Sequence, residues 1–285
     1  MKFFTPVSIE APRRPVSLSD TIMVLGSCFA DTMGRRMAEA GFNVCVNPFG
    51  TLYNPLSIER AVQRLSNPVP FGPEDCVEMG AGAGLVCSFD HHTSFARRTP
   101  GEFLENANRS LEEASRFWKK CNLVIVTPGT AFVWYTNTPG GERAVANCLK
   151  RPGTEFTHRL LGLEETTLAL QSAMRTAEGK DFIFTVSPIR HLGDGARANS
   201  LSKARLLLAV ESCPGAGYFP AFEIFNDELR DYRFYSGDLV HPSAEAAGYI
   251  WERFLDSFVP ESELPAIKDN EKAARRAAHR SILKD

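Results

Sequence analysis

The sequence predicts an α/β protein: a three-layer α/β/α sandwich on a mostly parallel sheet. Short apolar runs alternate with segments whose apolar residues recur at helical spacing. That alternation builds parallel sheets with helices on both faces. At 285 residues, 44% of them hydrophobic, the chain can bury one large core.

Ile22-Met23-Val24-Leu25 reads as a buried strand closed by Gly26, and Phe29 to Ala40 as a helix with Phe29, Met33, Met37 and Ala40 on one face. Phe42 to Val46 is a second strand, ended by the loop Asn47-Pro48-Phe49-Gly50. Ser57 to Leu65 is a helix with Ser57 as its N-cap. Asn67 to Gly84, rich in Pro and Gly, is irregular and leads into an accessory strand at Leu85 to Phe89. A helix over Phe103 to Lys120 precedes the strand Leu123-Val124-Ile125-Val126, which stops at Pro128-Gly129. Glu164 to Ala177 is helical, and Phe182 to Val186 is a strand stopped by Ser187-Pro188. Asn199 to Ser212 is helical, Tyr218 to Phe225 is a last strand, and Ala244 to Phe258 is a last core helix. Residues 1–260 form the domain, and 261–285 a helical tail packed by Ile282 and Leu283.

Composition removes several classes of function. Lys+Arg of 32 against Asp+Glu of 34 gives a net charge of −2, which offers no field to hold nucleic acid. No apolar run is long enough to span a membrane. The first twenty residues carry prolines, arginines and a glutamate where a signal peptide is apolar, so a cytoplasmic location is expected. The seven cysteines are widely spaced with no C-x-x-C, which indicates neither a disulfide framework nor a zinc ribbon. No metal or cofactor is expected, and oligomeric state is left open.

In such sheets ligands sit beyond the carboxyl ends of the strands. There Gly26-Ser27-Cys28 sets a hydroxyl and a thiol at a helix N-terminus, where N–H groups favour an anion and lower a thiol's pKa. Gly237-Asp238-Leu239-Val240-His241 places a carboxylate three residues before an imidazole, a spacing that lets Asp238 orient His241 as a general base.

The order of these two blocks resembles that of SGNH hydrolases. The string Gly26-Ser27-Cys28-Phe29-Ala30 is similar to the signature of the related GSCFA-domain family. Matching pieces are Asn47 to Thr51, Tyr53-Asn54-Pro55, Gly129-Thr130-Ala131, Val186 to His191 and Asp231 to Tyr235. The resemblance implies a flavodoxin-like sheet and acyl transfer through a covalent acyl-enzyme, on a small-molecule or O-acylated carbohydrate ester. Two registers are open at the first block: a gap-free match makes Cys28 the nucleophile, and a slip of one makes it Ser27. Gly50 matches the second-block glycine, whose N–H donates to the oxyanion. The third block, Gly129-Thr130-Ala131, lacks the usual asparagine, so Thr130, Asn47, Asn54 or His92 is expected to take its place; losing such a donor costs about 2.7–4 kcal/mol. Arg190 and His191 are candidates to bind a substrate carboxylate or phosphate, and His158 and His279 are structural. The alternative is a non-catalytic ligand-binding module that keeps the cleft without turnover.

Overall fold

A computed structural model describes residues 4–138 and 141–282. Its elements run β1 (Thr21–Gly26), α1 (Cys28–Glu39), β2 (Asn43–Val46), α2 (Pro55–Ser66), β3 (Val77–Glu78), β4 (Val86–Cys87), α3 (Pro100–Trp118), β5 (Leu123–Thr127), β6 (Phe132–Thr138), β7 (Gly141–Val145), β8 (Phe156–Leu160), α4 (Leu163–Thr176), β9 (Asp181–Phe184), α5 (Ala196–Glu211), β10 (Gly217–Tyr218), α6 (Ala221–Glu223), α7 (Ala244–Phe258) and α8 (Leu264–Ile282). Five strands form one parallel sheet in the order β2-β1-β5-β9-β10.

Successive strand residues point to opposite faces, and here the two faces enter two cores. Met23, Leu25, Val124, Val126, Phe182 and Phe184 pack beneath α2, α3, α4 and α5. Ile22, Val24, Leu123, Ile125 and Ile183 pack beneath α1 and α7. The result is a three-layer sandwich. From β1 the chain turns outward to β2, then returns to place β5 on the other side of β1. That reversal opens a crevice between the carboxyl ends of β1 and β5.

Several boundaries differ from the sequence reading. The N-cap of α2 is Asn54, not Ser57: its Oδ1 accepts the Ser57 N–H at 2.9 Å, and Pro55 opens the helix. The strand expected over Tyr218 to Phe225 ends at Tyr218. Pro220 cannot donate to a ladder, and the apolar residues after it coil through α6 and a π-helical turn, Ile224–Glu228, into the second core. Short apolar runs suit a buried helix as well as a strand. The irregular stretch contains β3, which pairs antiparallel with β4. Between β5 and α4 lies an antiparallel meander, β7-β6-β8, for which the sequence gives no clear alternation. In the tail, Ile267 is fully buried and Asn270 Nδ2 donates to the Ala40 carbonyl at 3.0 Å. The side chains of Ile282, Leu283 and His279 lie outside the described residues.

Candidate active site

The end of β1 sets the geometry. Gly26 has φ of +146°, and a Cβ there would run into the Thr127 carbonyl of β5, so only glycine permits this approach. Asn47 ties the junction together: its Oδ1 accepts the Gly26 N–H at 2.8 Å and its Nδ2 donates to Asp31 at 2.6 Å. Ser27 is fully buried; its N–H donates to the Thr127 carbonyl at 3.0 Å and its Oγ accepts the Phe29 N–H at 3.3 Å, which makes it the N-cap of α1. Cys28, the first residue of α1, is half-buried.

From the other end of the chain, the loop before α7 brings an imidazole. Its ends are clamped where the Ser236 N–H donates to the His241 carbonyl at 2.7 Å. Asp238 Oδ1 accepts the N–H groups of Val240 and His241 at 2.9 and 3.0 Å, and its Oδ2 lies 2.7 Å from His241 Nδ1. Those two N–H groups, followed by the imidazole, hold the Asp238 carboxyl down to about 2. With Nδ1 donating to Asp238, His241 Nε2 is left as an acceptor, and it lies 3.4 Å from Cys28 Sγ. Cys28, His241 and Asp238 thus form one continuous chain of contacts. No hydrogen bond joins Ser27 to His241 among the described residues.

The thiol's charge differs from the sequence expectation. Burial pushes the Cys28 thiol up, and Asp31 adds to this, against the lowering effect of its own N–H, that of Phe29 and the charge of Lys203. At neutral pH the sulfur therefore carries its proton. The helix N-terminus is present, but desolvation outweighs it.

Two side chains that the sequence does not single out as site residues complete the surroundings. Lys203 of α5 is fully buried, and its Nζ donates at 2.6 Å to the carbonyls of both Gly129 and Ser187, tying the loop after β5 to the loop after β9. Burial brings its ammonium down to about 7. A lysine one turn before Leu206, on a face shared with Val210, is the sequence signal for it. Tyr53 packs edge-on against His191 with ring centroids 5.7 Å apart, and its hydroxyl accepts from Thr51 Oγ1 at 3.1 Å. Its phenol is raised by burial, with smaller contributions from Cys28 and Asp31.

The remaining candidates divide. The Gly50 N–H is donated to the Asn47 carbonyl at 2.8 Å, and the N–H groups of Gly129 and Thr130 go to the Tyr53 carbonyl. The expected oxyanion donor at Gly50 is thus spent in its own turn. Thr130 Oγ1 pairs with Ser202 at 3.0 Å and accepts the Phe132 N–H, while Asn47 and Asn54 serve as clip and cap. Ala131 points into an apolar cluster with Val186 and Leu206. His92 caps a short turn through Ser94. Arg190 holds the His241 loop, donating its N–H to the Val240 carbonyl and its guanidinium to that of Leu239 at 3.1 Å. His191 faces the crevice. Its Nε2 is buried with no hydrogen-bond partner, and a Cβ on Gly129 would lie 2.9 Å from it. His91 belongs to the core among Phe49, Phe71, Phe95 and Phe103, and His158 stacks on Trp134. Among the described residues no group of three or more His, Cys, Asp or Glu is placed to hold a metal ion.

On its groove side, the loop after β9 lines a cavity of about 390 Å³ with Pro188 and Arg190, facing Asn226, Tyr232 and Tyr235, and Lys203 reaches it from α5. A larger cavity of about 690 Å³ lies between the N-terminal segment and residues 227–234, and neither cavity is lined by Cys28, Asp238 or His241. No helix among the described residues is long and apolar enough to cross a membrane.

Neither a curated protein nor a solved structure matches the chain. One family model does: it covers residues 21–254, from the first residue of β1 into α7, and so spans both the Ser27-Cys28 junction and the Asp238-His241 loop. The chain belongs to the GSCFA family.

Proposed function

We propose that the protein is an acyl-ester hydrolase or O-acyltransferase working through a thioester on Cys28, with an O-acylated carbohydrate as its substrate class. The observation that carries this reading is the contact chain from Cys28 Sγ through His241 to Asp238, set where the strand order reverses. His241 Nε2 accepts the thiol proton while Sγ bonds to the acyl carbon and the carbonyl electron pair moves to oxygen. Collapse of that intermediate breaks the ester C–O bond, and the leaving alkoxide takes the proton from His241. Water or a second hydroxyl then gives its proton to His241 and attacks the thioester; the C–S bond breaks and Sγ recovers the proton. Because the resting thiol is neutral, this is general-base chemistry rather than reaction of a standing thiolate.

The resemblance to SGNH hydrolases supports the ester, and the aromatic and polar groove beside the loop after β9 supports a sugar. Tyr232 is 66% exposed and tilts against Tyr235 with centroids 5.7 Å apart, a surface suited to a pyranose face. The test is a panel of O-acetylated saccharides, with release of acetate and transfer to an added sugar followed separately. We expect turnover in the wild type that is lost in Cys28→Ala and weakened in KM by Tyr232→Ala. A binding module without turnover is favoured by one observation, the burial of Ala131 where an amide donor would serve. It predicts saccharide binding with neither acetate release nor an acyl adduct.

A further inference from the structure

An acyl-transfer site needs hydrogen-bond donors aimed at the oxygen that becomes negative. In this crevice most candidates are already committed. The N–H groups of Gly50, Gly129 and Thr130 donate to backbone carbonyls, and Thr130 Oγ1 is held by Ser202 and Phe132. The Phe29 N–H donates to Ser27 Oγ at 3.3 Å, and the Cys28 N–H opens α1 beside the sulfur. Among the side chains facing the crevice, His191 Nε2 is buried with no hydrogen-bond partner. It stands over Gly129, since a Cβ there would lie 2.9 Å from Nε2 and 3.3 Å from Ser27 Cβ, so the imidazole and the start of α1 close on the same glycine. The ring is fixed edge-on by Tyr53, and the residue's N–H is held by Asn199 Oδ1 at 2.9 Å.

We propose that His191 is a catalytic residue whose Nε2–H, standing free over Gly129, donates to the acyl oxygen as Cys28 attacks. This rests on the acyl-transfer reading above. A buried donor without a partner is costly in the resting protein, and a developing oxyanion is the acceptor that would satisfy it. Burial, Lys203 and His241 together hold the imidazole neutral down to about pH 4, so it donates without adding a second positive charge. Tyr53 is the competing donor, since its hydroxyl accepts from Thr51 and keeps its own O–H to give, and Tyr53→Phe separates the two.

The experiment measures the rate of Cys28 acylation by p-nitrophenyl acetate, followed by p-nitrophenolate release and intact mass. His191→Phe keeps the ring and its packing and should slow acylation about 10²–10³-fold with KM little changed. His191→Gln, which returns an N–H donor, should recover part of that loss. Gly129→Ala, which displaces the imidazole without removing it, should fall with His191→Phe, and Tyr53→Phe should stay near the wild type. Nitrogen-15 NMR should find His191 neutral and protonated on Nε2 at pH 7. Full-rate acylation in His191→Phe, an Nδ1–H tautomer, or a loss that follows Tyr53→Phe instead would overturn the proposal while leaving acyl transfer intact. A wild type that forms no adduct on Cys28 would remove both.

Discussion

Ser27 and Cys28 are neighbours in sequence but not in role, because α1 begins between them. Ser27 is turned inward as the helix cap, and Cys28 is turned toward His241. Ser27→Ala should therefore cost stability, about 0.5–2 kcal/mol in a urea titration, and leave acylation of Cys28 nearly unchanged. The Asp238 carboxylate has a different weight. It fixes both the His241 loop, through two N–H groups, and the tautomer, through Nδ1. Asp238→Asn should keep the fold by circular dichroism yet slow acylation by about 10²–10⁴-fold, since the imidazole loses the partner that makes Nε2 an acceptor. Acylation of the Asp238→Asn protein at the wild-type rate would separate the loop from the chemistry.

Among the elements, the accessory segment before α3 carries a pH dependence unrelated to turnover. His91 is fully buried among four phenylalanine rings; Ser88 Oγ meets its Nδ1 at 2.7 Å, and its Nε2 has no partner. Burial brings its pKa down from 6.5 to about 4, as it does for His191. Between those values the unfolded chain binds protons that the folded chain does not. Stability is therefore unaffected above pH 6.5 and falls as pH drops toward 4, by at most about 3 kcal/mol for His91. Urea midpoints measured from pH 7 to 4 should decline, and His91→Phe should flatten part of that decline, with His191 and His92, both also lowered by burial, adding to the rest. An unchanged slope in His91→Phe would mean that the cage admits the charged ring. The elements most legible in sequence are those like β1 and β5, whose unbroken apolar, β-branched runs are buried on both faces. The β7-β6-β8 meander escapes notice because its exposed face is also aromatic, with Trp134 stacked on His158 at 4.0 Å. β10 is shorter than its sequence suggests because apolar residues past Pro220 look alike in a strand and in a buried helical turn.

For the whole molecule, the reversal of strand order at β1 and β5 puts all the candidate chemistry at one end of the sheet. The opposite end is held by packing and hydrogen bonds. There α8 packs Ile267 into the second core, holds the Ala40 carbonyl at the end of α1 through Asn270, and ties Trp251 to Glu271 at 2.8 Å. Ile267→Ala should lower unfolding free energy by about 2–5 kcal/mol while the acylation rate at 25 °C stays within error. A matching loss of activity in the folded variant would show that the two ends are coupled. The same separation explains what of the site can be read from sequence. Cys28, Asp238 and His241 announce themselves through short spacings with chemical meaning, each close to an element boundary. Lys203 and Tyr53 reach the crevice only through packing. The neutral state of the thiol depends on burial, which spacing does not encode.

His241 acting as the base for Cys28 is the centre of the proposed mechanism. The most direct measurement is the site and rate of acylation by p-nitrophenyl acetate, mapped by peptide mass in wild type, His241→Ala and Ser27→Ala. A single adduct on Cys28 is expected, formed at near-normal rate in Ser27→Ala and lost in His241→Ala. An adduct on Ser27, or Cys28 acylated equally fast without His241, would contradict it.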